Sequence, residues 1–500
     1  MKRGILLVRA DATVASGSGH VMRCLALAQA WQHAGGDVIF AMAQSTAAIV
    51  GRLQAEQIKI IAIDADPGSA GDIQKTITLI KVHKPEWLLV DSYHFDAHYV
   101  SELQNVRPVL HLDDNGKIEF YSAEFVLNQN LHASAEMYAK RAPHTRLLLG
   151  PRYSLLRTEF MAYQNWTRTI PDRGTRVLLT MGGSDPKDLT PSILSALSGL
   201  SVADLRIRVI VGGSARNRIE VAEIGEKFPV RVEVMSNIAN MAELMAWADL
   251  AIAGAGTTCW EMCLMGLPAM LVIVAENQMF IAEHLGAVGA AITVGRAESL
   301  NSLLVAQIAG QLLDDGPRRL KMSQSGRQLV DGAGRERVRA ALLDRELKLR
   351  LVRENDCQLL FEWANDPAAR MASFHSKCIS WEDHVDWFSD RLRDPNSVIY
   401  IGENAAGKAV GLVRFKIRGP SAVLSVNVAP EVRGQGWGKE LIAFSTHSLF
   451  RVGSVRRIEA FVRPDNKASV RLFEASGFRR CGVEKVADQD ALLFMWECVN

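Results

Sequence analysis

The 500-residue chain is short of several things at once, and each shortage excludes a class of protein. It has no apolar run of the roughly 18 residues that a membrane-spanning helix requires. Its 57 basic and 55 acidic residues nearly cancel, leaving a formal charge of +2 and no electrostatic case for nucleic acid or for a polybasic membrane anchor. Seven cysteines are scattered without a C-x-x-C pair, and Cys259 and Cys263 have no nearby His to complete a zinc set. Free thiols in a reducing cytosol are the expectation, so a cytoplasmic protein without a metal is predicted. The opening MKRGILLVRADAT resembles the front of a signal peptide. Arg9 and Asp11 end its apolar run early, however, and a buried first strand is the better reading.

What is present is an ordinary globular composition, 48% hydrophobic and 22% charged, at a length that suits about three domains. Residues 1–170 alternate short apolar strands (Ile5–Val8, Val38–Ala41, Ile58–Ile63, Trp87–Asp91, Val109–Leu112) with helical patterns over Val21–Ala34, Ile73–Val82 and Asp96–Leu103. The polar stretch 167–176 interrupts the pattern. A second series follows over 171–347, with strands at Val177–Met181, Arg206–Val211, Arg231–Val234, Leu250–Ala253 and Ala269–Val274, then a charged helical end. Such alternation predicts α/β architecture, two doubly wound halves with ligands beyond the carboxyl ends of their strands. Residues 348–500 differ: helices near 355–364 and 381–393, then strands at Val398–Glu403, Ala409–Lys416 and Val423–Val428, a mixed α+β unit.

Three strand ends in the first two halves run into glycine and then into a helix. Gly17-Ser18-Gly19 precedes His20 and Arg23; Gly182-Gly183-Ser184 precedes Asp185; Gly254-Ala255-Gly256-Thr257 precedes Glu261. Glycine lets backbone come close to a ligand, and a helix start offers free N–H groups and positive potential to an anion. A His at such a helix start is expected to resist protonation and so to serve as a neutral general base. Each motif alone also fits a plain strand-to-helix turn, and Glu261 alone also fits a carboxylate serving the helix dipole.

Taken together, the run GSGHVMRCLALA, Asp91-Ser92-Tyr93, Asp113-Asp114, GGSDP, AGAGTTCWE and Glu276-Asn277-Gln278 resemble the UDP-sugar hydrolase of pseudaminic acid biosynthesis, over about residues 1–345. The resemblance implies a GT-B-like pair of doubly wound domains. It implies His20 as activator of the attacking water and UDP held by the second half, with Glu261 on the ribose. Gly17, Gly19, Arg23, Asp91, Tyr93, Gly182, Gly183, Ser184, Gly254, Gly256, Thr257, Asn277 and Gln278 complete the implied substrate site. Cys259 and Trp260 stand where some relatives carry a polar amide.

In the third region, a strand ending at Val428 leads to Arg433-Gly434-Gln435-Gly436-Trp437-Gly438-Lys439 and a helix, Lys439–Phe450. Amides must reach a pyrophosphate there, so side chains at 436 and 438 are expected to be excluded by the ligand. The motif, with Asn466 and Ser469 downstream, resembles the GNAT acetyltransferases. That resemblance implies acetyl-CoA as co-substrate, with Asn466 near the pantetheine. Phe473 stands where many relatives carry a Tyr, the acid for the leaving thiolate. His384 in the stretch 379–388 is a catalytic candidate, or a packed or capping residue. The joint implication is acetylation of the 4-amino group of UDP-4-amino-4,6-dideoxy-N-acetyl-β-L-altrosamine, then hydrolytic release of UDP from UDP-2,4-diacetamido-2,4,6-trideoxy-β-L-altropyranose. A UDP-sugar-dependent glycosyltransferase joined to an acetyltransferase of another sugar amine or of a protein N-terminus fits the same motifs.

Overall fold

A computed structural model describes all residues except 1–3, 14–16, 184, 214, 344–346, 405–406, 435, 452–454 and 498–500. The chain divides into two compact units, Met1–Leu342 and Leu343–Asn500.

Unit 1 holds two parallel sheets. The first comprises β1 (Ile5–Ala10), β2 (Asp37–Met42), β3 (Lys59–Ala62), β4 (Trp87–Asp91), β5 (Val109–Leu112), β6 (Phe125–Asn128) and β7 (Arg146–Leu149), in the order β3-β2-β1-β4-β5-β6-β7. The second comprises β8 (Arg176–Thr180), β9 (Arg206–Ile210), β10 (Arg231–Met235), β11 (Leu250–Gly254), β12 (Ala269–Ile273) and β13 (Ala291–Arg296), in the order β10-β9-β8-β11-β12-β13. Central strands are buried along their length, as parallel strands covered on both faces must be. Two doubly wound sheets in series are the architecture expected from the alternation. β6, β7, β13 and the helix Ala47–Ala55 were not among the predicted elements, because their apolar runs are short or flanked by loop-like residues.

In each sheet, strand order reverses between the first strand and the fourth. The reversal falls between β1 and β4 in one sheet and between β8 and β11 in the other. Connections leave a doubly wound sheet in opposite directions at that point, so a crevice opens beyond those two carboxyl ends. His20 follows β1, Asp91 ends β4, Gly182 follows β8 and Gly254 ends β11. Topology alone therefore puts the sequence motifs side by side in pairs, two in each sheet.

The last helix of unit 1, Gly334–Leu342, returns to the first sheet and packs on helix Gly19–His33. Arg335 donates to the Thr158 hydroxyl at 2.8 Å and Arg337 to the Arg152 carbonyl at 2.7 Å. Gly334 makes this approach possible, because a Cβ there would lie 2.2 Å from the Ser154 carbonyl oxygen.

Unit 2 is one mixed sheet: β14 (Lys348–Leu351), β15 (Ser397–Glu403), β16 (Ala409–Arg418), β17 (Ser421–Val428), β18 (Arg457–Val462), β19 (Arg479–Val486) and β20 (Gln489–Glu497), in the order β14-β15-β16-β17-β18-β20-β19. The predicted helices appear as Cys357–Asn365 and Trp381–Arg393. The third begins two residues earlier than expected, at Trp437.

Gly334→Ala forces backbone against backbone and is expected to cost about 1–3 kcal/mol, the range for overpacking a tight site. Chemical denaturation of the full chain measures this as a lowered first transition.

Candidate functional site

His20 is the second residue of helix Gly19–His33, and Arg23 stands one turn further along the same face. Both turn to Asp91. The His20 Nδ1 donates to Asp91 Oδ1 at 2.9 Å, while Arg23 reaches Asp91 through Nε at 2.6 Å and through its terminal nitrogen at 2.7 Å. The remaining Arg23 nitrogen donates to both oxygens of Asp114, at 2.8 and 3.0 Å. The Asp114 carboxylate also accepts from Asn130 at 2.9 Å and from the Tyr93 hydroxyl at 3.1 Å. Tyr93 lies edge-on to the His20 ring, centroids 4.6 Å apart.

This network revises three expectations. Arg23 and Asp91, implied against the substrate, are buried and direct their polar atoms to each other, to His20 and to Asp114. His20 does not resist protonation as expected from its place at a helix start. Burial opposes the imidazolium, but the Asp91 carboxylate beside Nδ1 outweighs it and raises the pKa above 6.5. Asp91 itself is opposed by burial yet held far below the usual carboxylate range by Arg23 and His20.

With Nδ1 committed as donor to Asp91, Nε2 is the ring nitrogen free to accept a proton; it has no protein partner among the described residues. An aspartate that fixes a histidine tautomer in this way sets up a general base.

The glycine loops do come together across the crevice. A Cβ on Gly183 would lie 2.7 Å from the Ser18 hydroxyl oxygen, and one on Gly19 would lie 3.4 Å from that of Thr257. Gly17 and Gly182 have φ of +72° and +86°, the left-handed region that favours glycine. Ser184 lies outside the described residues. A fourth loop, not singled out in the sequence, supports the second: a Cβ on Gly212, after β9, would lie 2.1 Å from the Gly183 carbonyl oxygen. Gly212-Gly213 after a strand carries the same signal as the other three loops and was open to the same reading.

Asn277 joins the two halves by donating to the Tyr93 hydroxyl at 2.7 Å. Gln278 accepts from the Val274 amide at 3.0 Å and so shapes the loop, while a Cβ on Gly256 would lie 3.7 Å from its amide nitrogen. Gly254 packs close to Val274. Glu261, one turn into helix Thr258–Leu264, is paired with Arg157 at 2.9 Å. No pattern in the sequence pointed to Arg157, because the pair spans 104 residues (261 − 157).

In unit 2, β17 and β18 run parallel only over Ser421–Val423 against Arg457–Glu459. Beyond Val423 they diverge, so β17 to Val428 and β18 to Val462 leave an open wedge with backbone groups unpaired across it. The motif 433–439 sits at the end of β17. Gly434 and Gly436 take φ of +75° and +90°. Gln435 lies outside the described residues.

Three details differ from the expected loop. The Arg433 side chain turns inward, donating to the Val428 carbonyl at 3.1 Å and pairing with Asp366 at 2.6 Å, so it braces the loop. Gly438 is also closely packed, since a Cβ there would lie 3.0 Å from the Leu472 side chain. Trp437 is buried and Lys439 exposed. Asn466 caps helix Lys467–Ala475, accepting from the Ser469 amide at 3.0 Å.

Phe473, in place of a tyrosine, is buried against Phe478 and Phe494 and offers no proton. His384 packs among Phe361, Trp387 and Phe388 and bonds the Cys357 carbonyl at 3.0 Å. Burial holds its pKa below 6.5, consistent with a packed residue. Among the described residues, no helix is long and apolar enough to cross a membrane.

Two family models match the chain. The glycosyltransferase family 28 C-terminal domain matches residues 177–333, and the acetyltransferase (GNAT) domain matches residues 346–479. An uncharacterized protein of Methanocaldococcus jannaschii is 22% identical over 482 residues, covering 94% of this chain and 96% of its own. The spore coat polysaccharide biosynthesis protein SpsG of Bacillus subtilis is 28% identical over 269 residues, 53% of this chain and 78% of its own. The UDP-N-acetylglucosamine–N-acetylmuramyl-(pentapeptide) pyrophosphoryl-undecaprenol N-acetylglucosamine transferase of Xanthomonas oryzae pv. oryzae is 32% identical over 182 residues, 35% of this chain; the match spans only 41% of that enzyme. The chain thus joins a second half of the family 28 glycosyltransferase type to a GNAT acetyltransferase domain, whose co-substrate is acetyl-CoA.

Proposed function

We propose that unit 1 cleaves a UDP-activated amino sugar with water and that unit 2 first acetylates that sugar's amine. The specific pair is the acetylation of UDP-4-amino-4,6-dideoxy-N-acetyl-β-L-altrosamine and the hydrolysis of the resulting UDP-2,4-diacetamido-2,4,6-trideoxy-β-L-altropyranose. One observation carries the hydrolytic part: Asp91 accepts from His20 Nδ1 and so leaves Nε2 as a base, in a crevice where glycine loops from both halves meet. SpsG, a polysaccharide biosynthesis protein, and the family 28 match over 177–333 support a sugar nucleotide as substrate.

In this reading, amides of the loops at Gly17, Gly19, Gly182, Gly183, Gly254, Gly256 and Thr257 meet the diphosphate, whose charge needs donors already in place. Glu261 accepts from the ribose. Tyr93, Asn277 and Gln278 line the sugar side, and Arg23 and Asp91 act by positioning His20. Water is held between Nε2 and the anomeric carbon. Its oxygen bonds to that carbon as the carbon–phosphate oxygen bond breaks, UDP takes the electron pair, and the proton passes to Nε2. Direct displacement inverts the anomeric centre.

In unit 2 the wedge after Val423 takes the pantetheine, and the loop Arg433–Lys439 with Val428, Asn466 and Ser469 takes the rest of coenzyme A. The neutral sugar amine attacks the thioester carbonyl, the C–S bond breaks with its electron pair on sulfur, and the proton shed by the nitrogen passes through water to the departing coenzyme A thiolate. Phe473 cannot protonate it.

The family 28 match also favours a second reading, transfer of the sugar to an acceptor other than water. Full-rate UDP release without any added acceptor, together with free sugar by mass spectrometry, is the result expected for hydrolysis. UDP release that appears only with an acceptor decides for transfer. His20→Asn is expected to lower UDP release about 10²–10⁴-fold, the span of general-base catalysis, with CoA release from acetyl-CoA unchanged.

The pH dependence follows from the raised pKa of His20. The base works only when neutral, so kcat/KM for UDP release rises with pH through a midpoint above 6.5. Asp91→Asn removes the charge that opposes burial, and the midpoint falls. A midpoint that stays in place in this variant removes His20 as the titrating base.

A further inference from the structure

We infer that Arg157 is a positioning residue of the nucleotide site, holding the Glu261 carboxylate charged and oriented toward the ribose of a bound uridine nucleotide. The inference rests on the reading of unit 1 as a UDP-binding enzyme.

Arg157 stands on the segment joining the two sheets of unit 1, between β7 and β8. It is as buried as its partner, with 9% of Arg157 and 8% of Glu261 accessible. Its guanidinium serves two carboxylates, Glu261 Oε1 at 2.9 Å and Glu159 Oε1 at 2.7 Å. Glu159 is reached in turn by Arg52, 3.5 Å away on helix Ala47–Ala55. Two adjacent acids, one buried and one half-buried, need a cation that forks, and arginine is built for that where lysine is not.

The arginine's own segment is fixed too. The Thr158 amide donates to Gln29 Oε1 at 2.8 Å, and the Thr158 hydroxyl accepts from Arg335 at 2.8 Å. Gln29 lies on the helix that begins at Gly19 and His20, so the arginine is anchored to the half that carries the proposed base.

Glu261 has a reason to need this support. It opens a helix behind the loop Gly254–Thr257, which meets Gly19 across the crevice. Burial pushes its carboxyl upward toward the neutral form, Arg157 opposes that, and the neighbouring Glu159 charge adds to the push, so the carboxyl stays above the usual range even with the arginine and would rise further without it. Arg157 binds one oxygen, and Oε2 has no protein donor among the described residues. A carboxylate held by one oxygen and open at the other can accept from a ribose hydroxyl; a protonated or swung one cannot. An ion pair that served stability alone would have no effect on which nucleotide binds.

The experiment is calorimetric titration of the full chain with UDP and with 2′-deoxy-UDP. The unaltered chain is expected to prefer UDP about tenfold or more, the worth of a hydrogen bond to a charged group. Glu261→Gln lowers that preference, and Arg157→Met lowers it to the same level. The double variant loses nothing further. Arg157→Lys, which keeps the charge without the fork and protects the fold if the methionine variant melts, gives an intermediate ratio. A preference lost in Glu261→Gln but intact in both Arg157 variants overturns the positioning role alone. A preference intact in Glu261→Gln removes the ribose contact itself, and with it the nucleotide reading of this end of the site.

Discussion

The carboxylate of Asp91 is the point on which the first unit turns. It ends β4 at the place where strand order reverses, with 1% of its side chain accessible, and it is shared by His20 and Arg23. A buried aspartate of this kind is costly unless its charge is fully met. Here one carboxylate fixes a histidine tautomer and anchors an arginine, and that arginine passes the order on to Asp114, Tyr93 and Asn277. The path crosses from the first half to the second. The orientation of the proposed base and the join between the halves therefore depend on the same buried charge.

The second join is built from absent side chains. Gly19 against Thr257, Gly183 against Ser18 and Gly212 against the Gly183 carbonyl bring four loops to within van der Waals distance. The glycines matter for two separate reasons, room and backbone angle. Gly17 and Gly182 have open space where a Cβ would go and are needed for positive φ, whereas Gly183 and Gly212 are needed for room. Unit 2 divides the labour in the same way: Gly434 for angle, Gly438 for packing on Leu472.

Unit 2 also shows how a sheet can present its backbone. Parallel pairing of β17 and β18 ends at Val423, and five further residues of β17 (424 to 428) run on without a partner on that side. Unpaired amides and carbonyls are normally a liability at a sheet edge. In the proposed reading the wedge turns them into a recognition surface for the pantetheine. Arg433, braced between the Val428 carbonyl and Asp366, keeps the adjoining loop at the mouth of that wedge.

Read alone, the sequence established the parallel α/β class of unit 1, the mixed α+β class of unit 2, and the glycine-fronted helix starts that mark their sites. These are local properties: apolar runs of strand length, helical periodicity between them, and residues that permit special backbone angles. It said nothing of how the polar side chains would be shared. That Arg23 and Asp91 brace His20, that Asp91 raises its hold on a proton, and that Arg157 pairs with Glu261 are consequences of approach between segments up to 104 residues apart. Charge pairing and desolvation act through space at a few ångströms, so only the folded chain could decide them.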